Sequence, residues 1–291
     1  MSRNDDRLGL DHMPQEDSSS TPVVATSQQQ TSQDTAFNWS VPTEFVELPS
    51  GGRFYPPGHS LHNQNTIEIR YMTAKEEDIL TSRSLLKEGV ALDRMLQNLV
   101  IDGSINVNSL LVGDKNALLV AARRTGYGPE YETKVACPSC GTTVDHSFDI
   151  SSPSTNNFEK SAEEFGVSFD ASGHATITLP MTGVKVECRL LTGADETRVT
   201  KEAIRKSKKK MESTSTTDAF RAFVVSVNGD NNPFTLENFI QNMPARDARH
   251  LRTIYNEVIP NINLEQNFEC SNCGHEADME VPLGIDFFWP K

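Results

Sequence analysis

The sequence predicts an α+β protein made of one unit repeated twice, with four paired cysteines shared between the repeats and an unstructured arm in front. Three observations carry that expectation. Ile67, Glu68, Ile69, Arg70, Tyr71, Met72, Thr73 returns in kind and order as Val186, Glu187, Cys188, Arg189, Leu190, Leu191, Thr192, and the acidic pairs Glu76, Glu77 and Asp195, Glu196 follow at the same offset. Each run then leads through apolar stripes at helical spacing to a Cys-x-x-Cys-Gly motif, Cys137 to Gly141 and Cys270 to Gly274. The first forty or so residues, with a Ser, Thr and Gln run from Ser18 to Ser32, lack any apolar period and cannot offset their ordering entropy. The expected boundaries are 1–42 for the disordered arm, 43–152 for the first repeat, 153–183 for a linker and strand, and 184–291 for the second repeat with an aromatic tail.

Each element has its own reason. Val46 and Leu48 alternate with polar residues and lead into Pro49 to Pro57, a strand followed by a tight turn plugged by Phe54 and Tyr55. Ile67 to Tyr71 alternates as a second strand. Thr73 with Glu76 forms a capping box, which opens a helix expected to run through Leu85 and Leu86. After Gly89, a second helix carries Leu92, Met95, Leu96, Leu99 and Val100 on one face. A turn at Asp102 and Gly103 precedes a third helix, with Asp114 as N-cap and Gly126 as its stop; Tyr131 to Val135 then enters the first cysteine pair as a strand.

The second pass repeats the capping box at Thr192 and Asp195. It continues with a helical stripe at Phe220, Phe223, Val224 and Val227, a turn at Asn228 and Gly229, and a helix from Pro244 carrying Leu251, Ile254, Tyr255 and Val258. The strand Leu264 to Phe268 enters the second cysteine pair. From Arg70 to Cys137 is 67 positions and from Arg189 to Cys270 is 81, and the difference falls in loops, where a duplicated unit tolerates insertion.

Composition narrows the function classes. With 27 Lys and Arg against 40 Asp and Glu, a broad footprint for nucleic acid or anionic lipid is not expected. No run reaches the roughly 20 apolar residues of a membrane span and no secretory signal pattern opens the chain, so a soluble, intracellular product is expected. Partners are expected to be proteins. In a reducing compartment, four of five cysteines in two paired motifs suit metal better than a disulfide framework.

In each motif the chain turns tightly enough for two thiolates to bind one ion, and the following glycine lets the backbone turn with positive φ. Strand-like alternation flanks both, so Cys137, Cys140, Cys270 and Cys273 are expected to form one tetrahedral, closed structural Zn²⁺ site. Two redox pairs or unmetallated thiols are the alternatives, and a redox pair would open a helix instead. Cys188 is expected in the core, His275 could replace a sulfur ligand, and His146 and His174 have no partner pattern. The basic run of Lys201, Arg205, Lys206, Lys208, Lys209 and Lys210 lacks interleaved aromatics and reads as a solvated helix end. The acidic pairs read as helix-start carboxylates rather than an acid and base. No nucleophile elbow, phosphate loop or His-rich metal motif is present, so no enzymatic activity is expected.

Glu47 to Tyr55, Thr73 to Leu80, and Gly126 to Tyr131 before Cys-Pro-x-Cys-Gly together resemble the T4-type bacteriophage baseplate proteins, the hub subunits of contractile tails. The resemblance covers about Phe45 to the C-terminus. It implies a structural or assembly role in the central hub, contacts with other baseplate proteins, no catalysis, and a place in the virion tail after assembly in the host cytoplasm. The alternative from the residues is a nucleic-acid-binding zinc-ribbon regulator. A zinc hydrolase would need an open coordination position. Arg53, Phe54 and Tyr55 in the turn, and Phe287, Phe288 and Trp289 in the tail, are candidate partner-binding residues that could equally pack on the chain's own core; self-docking is favoured for the tail.

Overall fold

The computed structural model describes residues 40–170, 172–209, 215–281, 283 and 285–288; the expected arm up to residue 39, and Lys210 and Trp289, lie outside them. Strand β1 (Thr43–Glu47) pairs antiparallel with β2 (Thr66–Arg70), burying Val46, Ile67 and Ile69 on one face and leaving Thr43, Phe45 and Glu47 exposed on the other. Helix α1 (Ala74–Thr81) begins at the capping box. The Glu76 carboxylate accepts the Thr73 amide at 3.0 Å and hydroxyl at 2.7 Å, while Arg70 donates to both oxygens at 3.0 and 2.6 Å. Burial alone would raise this acid, but the Arg70 fork and the Thr73 donors outweigh it and hold Glu76 at about 2.

A carboxylate depressed from 4.5 stabilises the fold fully above that value and loses its contribution as pH falls toward about 2. We therefore expect Glu76→Gln to remove on the order of 2–3 kcal/mol of stability at pH 7 and to flatten the acid slope below pH ~4.5. Urea midpoints measured between neutral pH and pH ~3 check this, and slopes that coincide for the two proteins would refute it.

The sequence expects one helix through Leu86, but Ser82 adopts an extended conformation (φ −65°, ψ 108°) that ends α1 and starts α2 (Arg83–Glu88). Next come α3 (Ala91–Leu99), with Met95, Leu96 and Leu99 fully buried, and a bridge from Val100 to Ile69 that adds Val100 beside β2. Helix α4 (Val112–Tyr127) is buried on nearly every side from Ala117 to Arg123, as a central helix must be. It starts at Leu111 rather than Asp114 and continues through Gly126 to close at Gly128. Strands β3 (Glu130–Ala136) and β4 (Thr143–Asp149) form the first cysteine hairpin.

The chain continues through β5 (Ser154–Thr155), α5 (Phe158–Glu164), β6 (Ser168–Phe169), β7 (Ala175–Thr178) and β8 (Lys185–Cys188). Helices α6 (Gly193–Lys208) and α7 (Ser215–Phe223) lead to β9 (Val224–Val227), which completes an antiparallel sheet in the order β6-β7-β8-β9. The helical stripe expected through Val227 therefore stops at Phe223. Its β-branched valines pair with β8 and run into a turn where Asn228 and Gly229 both take positive φ, at 51° and 81°. Helices α8 (Pro233–Asn242) and α9 (Ala245–Val258), strand β10 (Ile262–Asn263), and the second cysteine hairpin β11 (Glu265–Glu269) and β12 (Glu276–Glu280) follow. Of the basic run, Arg205, Lys206 and Lys208 occupy the last turn of α6, where helix carbonyls favour cations, and Lys206 pairs with Asp218 at 2.5 Å.

Local geometries recur along the chain. Arg189 donates to both Asp195 oxygens at 2.7 and 2.6 Å, and Asp195 also accepts the Thr192 amide and hydroxyl, as Glu76 does from Arg70 and Thr73. Leu48, Pro49, Ser50 after β1 matches Leu179, Pro180, Met181, Thr182 after β7. Each turn is latched by an aspartate in the first turn of a helix. Asp114 of α4 accepts the Ser50 amide (2.9 Å), the Ser50 hydroxyl (2.6 Å) and the Tyr55 hydroxyl (2.7 Å). Asp247 of α9 accepts the Met181 and Thr182 amides and the Thr182 hydroxyl.

Two hydrophobic cores result. One holds residues from Val46 to Ile150 together with Ile262 to Phe288, and so includes both cysteine hairpins; the other lies between Ala162 and Val258. Lys115 of α4, only 4 % exposed, joins them through ion pairs to Asp93 of α3 (2.5 Å) and Glu196 of α6 (2.7 Å).

Candidate metal centre

The two cysteine motifs fold alike. In the first, the Gly141 amide donates to the Cys137 carbonyl (2.9 Å) and the Cys137 amide to the Thr142 carbonyl (2.9 Å); in the second, Gly274 to Cys270 (2.8 Å) and Cys270 to His275 (2.9 Å). Gly141 at φ 71° and Gly274 at φ 66° occupy the left-handed region such a knuckle demands of its fifth residue. The hairpins are held to one another at their other ends by Gln266, which accepts from the Asp149 amide at 3.0 Å and donates to its carbonyl at 2.5 Å. Between these points the His146 ring stands edge-on to Phe148 and to Phe268, one from each hairpin.

This docking brings together sulfurs 130 positions apart. Cys137 Sγ lies 3.8 Å from Cys273 Sγ, Cys140 Sγ lies 3.9 Å from Cys270 Sγ, and all four fall within 4.8 Å of one another. A Zn–S bond of about 2.3 Å gives a tetrahedral S···S edge of about 3.8 Å. The donors therefore fit a four-coordinate soft ion with no fifth ligand required. Disulfide distances, about 2.05 Å, are far exceeded.

Cys137 and Cys270 are buried and Cys140 and Cys273 exposed, the same alternation in each motif. The Thr142 hydroxyl and amide, with the Asn272 side-chain amide, draw the Cys140 thiol down to about 5. The His275 amide pulls Cys273 the same way, but desolvation and the three surrounding sulfurs push that thiol up to about 12. Cys140 is thus the sulfur most ready to ionise, and a soft cation, which binds cysteine as the thiolate, would favour ionisation of the rest. Among the described residues this is the one group of Cys, His, Asp or Glu side chains close enough to hold an ion, and His275 is not part of it.

The other residues singled out by sequence occupy definite places. Cys188 is fully buried in β8, where burial raises its thiol. Phe54 packs against Phe158 of α5 and Phe169 of β6, with Arg53 beside Glu159. The buried Tyr55 spans the latch, its hydroxyl donating a hydrogen bond to Asp114 at 2.7 Å and accepting one from the Leu111 amide at 3.0 Å. Phe287 and Phe288 are each 1 % exposed in the first core, and the Phe287 carbonyl accepts Arg123 Nε at 2.8 Å. Asp114 reads in the sequence only as an N-cap, and neither Asp247 nor the buried Lys115 stands out there; the repeated Leu-Pro turn was the available signal for the two latch aspartates.

The fold is thus a mixed α/β body on which two β-hairpins meet at a cluster of four cysteines. The chain belongs to the family described as T4 bacteriophage base plate protein, whose model matches residues 41–289. No curated protein and no solved structure matches it. The match spans most of the chain, and the residues of both cores and both cysteine motifs fall within it. No helix among the described residues is long and apolar enough to cross a membrane.

Proposed function

We propose that the chain is a structural and assembly component of the central hub of a contractile-tail baseplate, fastened by one Zn²⁺ on Cys137, Cys140, Cys270 and Cys273. It acts through contacts with other phage proteins and performs no catalysis, and it belongs in the virion tail after assembly in the host cytoplasm. The observation that carries this reading is the family match over residues 41–289, which makes the four-sulfur cluster a feature of a baseplate protein. Zn²⁺ in such a closed site supplies folding energy and holds two chain segments together.

The same reading treats residues 43–152 and 184–291 as two copies of one unit. Its supports are the matched Arg-Thr-acid clusters, the matched Leu-Pro turns latched by aspartates, and the matched knuckles. Sulfurs contributed equally by both copies make the metal a staple between them. Co-expression with the other baseplate proteins of the same phage is expected to yield a stable complex that survives gel filtration. Failure to bind any of them would refute the hub assignment.

A further inference from the structure

The outer edge of β1 is open where the corresponding edge of β7 is filled. In the second half, the Leu179 amide donates to the Val184 carbonyl (2.9 Å), so Ala175 and Ile177 direct their backbone groups to β8 and Thr176 directs its groups the other way. There β6 receives them, with Ser168 opposite Thr176 and the Asp170 amide on the His174 carbonyl at 3.0 Å.

In the first half, the Leu48 amide donates to Asn65 (2.8 Å) and the Tyr71 amide to Pro42 (2.9 Å). Glu44 and Val46 therefore face β2, and Thr43, Phe45 and Glu47 turn their N–H and C=O groups outward. Leu48 and Leu179 each precede the Pro turn, so Phe45 stands where Thr176 stands. Among the described residues no strand pairs with that edge, and the Phe45 side chain is 69 % exposed.

We infer that β1 accepts an added antiparallel strand from a neighbouring protein, occupying the place that β6 fills on β7. The inference rests on reading the two halves as equivalent, and its partner on the assembly role. Three backbone positions supply the pairing, and the side chains set its chemistry. Phe45 is bordered by Glu47 along the strand and by Glu68 directly across it, whereas Arg70 on the same face is committed to Glu76. The fitting segment is extended and carries an apolar residue opposite Phe45 with Lys or Arg two positions along, opposite Glu47, because residues two apart share a face. A second copy of this chain is a poorer occupant, because its net charge of −13 and its own Glu47 would meet like charges.

Amide hydrogen exchange on the full chain tests this, with a short synthetic peptide in which one valine has a lysine two positions away on each side and threonine between as the probe. Without peptide, Glu44 and Val46 amides should exchange slowly and those of Thr43, Phe45 and Glu47 rapidly. Peptide at about 100 times its Kd should slow the latter three by about 100-fold. Phe45→Pro removes an outward donor and no β1–β2 bond, so it should abolish the effect while Glu44 and Val46 stay protected. Phe45→Lys, with the backbone ladder intact, should keep the fold and weaken the peptide about tenfold, roughly 1.4 kcal/mol.

Four results would each overturn the inference. They are no slowing at millimolar peptide, unchanged binding in both variants, outward amides already slow in the free chain at every concentration, or slowing driven by the protein's own concentration, which would assign the edge to a second copy. A stable baseplate complex without any of this protection would leave the assembly role standing and remove only the strand site. Protection without any complex would do the reverse.

Discussion

Changing Cys270 and Cys273 together to serine should reduce bound zinc from one equivalent per chain to almost none and lower the melting temperature by about 10–20 °C. The same loss should follow from changing Cys137 and Cys140, because each pair supplies half of one ligand shell. Structural zinc in small fingers contributes about 10–16 kcal/mol to folding. Here the second core holds none of the four cysteines and the first is built mostly from other residues, so a loss of about 5 kcal/mol is the better expectation, and at 2–4 °C per kcal/mol it gives the stated shift. The damage should centre on the first core, where Cys137 and Cys270 pack beside Phe148 and Phe268. Metal analysis and thermal melts of the two double variants decide it. A full equivalent of tightly held zinc in either one would show that the motifs bind separately. Acid should release the ion, since protons compete for the thiolates.

Asp114→Ala should destabilise the protein by about 3–5 kcal/mol. The carboxylate is fully buried, and its removal strands the Ser50 amide, the Ser50 hydroxyl and the Tyr55 hydroxyl in the core. Burial pushes the acid up while the Ser50 and Tyr55 donors pull it back, so the site depends on all three contacts. Asp114→Asn should cost less, about 1–3 kcal/mol, because one amide oxygen still accepts but the amide nitrogen confronts a donor. Tyr55→Phe should be milder again, about 1 kcal/mol. Chemical denaturation of the three variants gives the order, and an alanine variant within 1 kcal/mol of the parent would contradict the latch.

Much of the local structure was legible from residue order. The Thr73–Glu76 and Thr192–Asp195 boxes announced two helix starts, because side chain and backbone lie three residues apart and need no distant partner. The cysteine knuckles were equally local, since their turn depends on a spacing and a glycine. Where distant partners compete, local signals misled. Asp114 reads as an N-cap, yet Ser50 and Tyr55 claim its side chain, so the helix begins earlier at Leu111. Val224 and Val227 complete a helical period with Phe220 and Phe223, yet the vacant edge of β8 takes them as a strand. Ser82 splits a helix that apolar spacing alone would continue.

The sequence by itself determined the two cysteine motifs, the two capped helix starts, the acidic charge and the family, because each depends on residue identity at short spacing. Only the tertiary structure decided that the four sulfurs form one cluster, that both hairpins and the tail share the first core, and that two aspartates latch two turns. Those contacts join residues from 59 to 164 positions apart. Which groups meet at such separations is fixed by how the helices and sheets pack, and no local spacing records it.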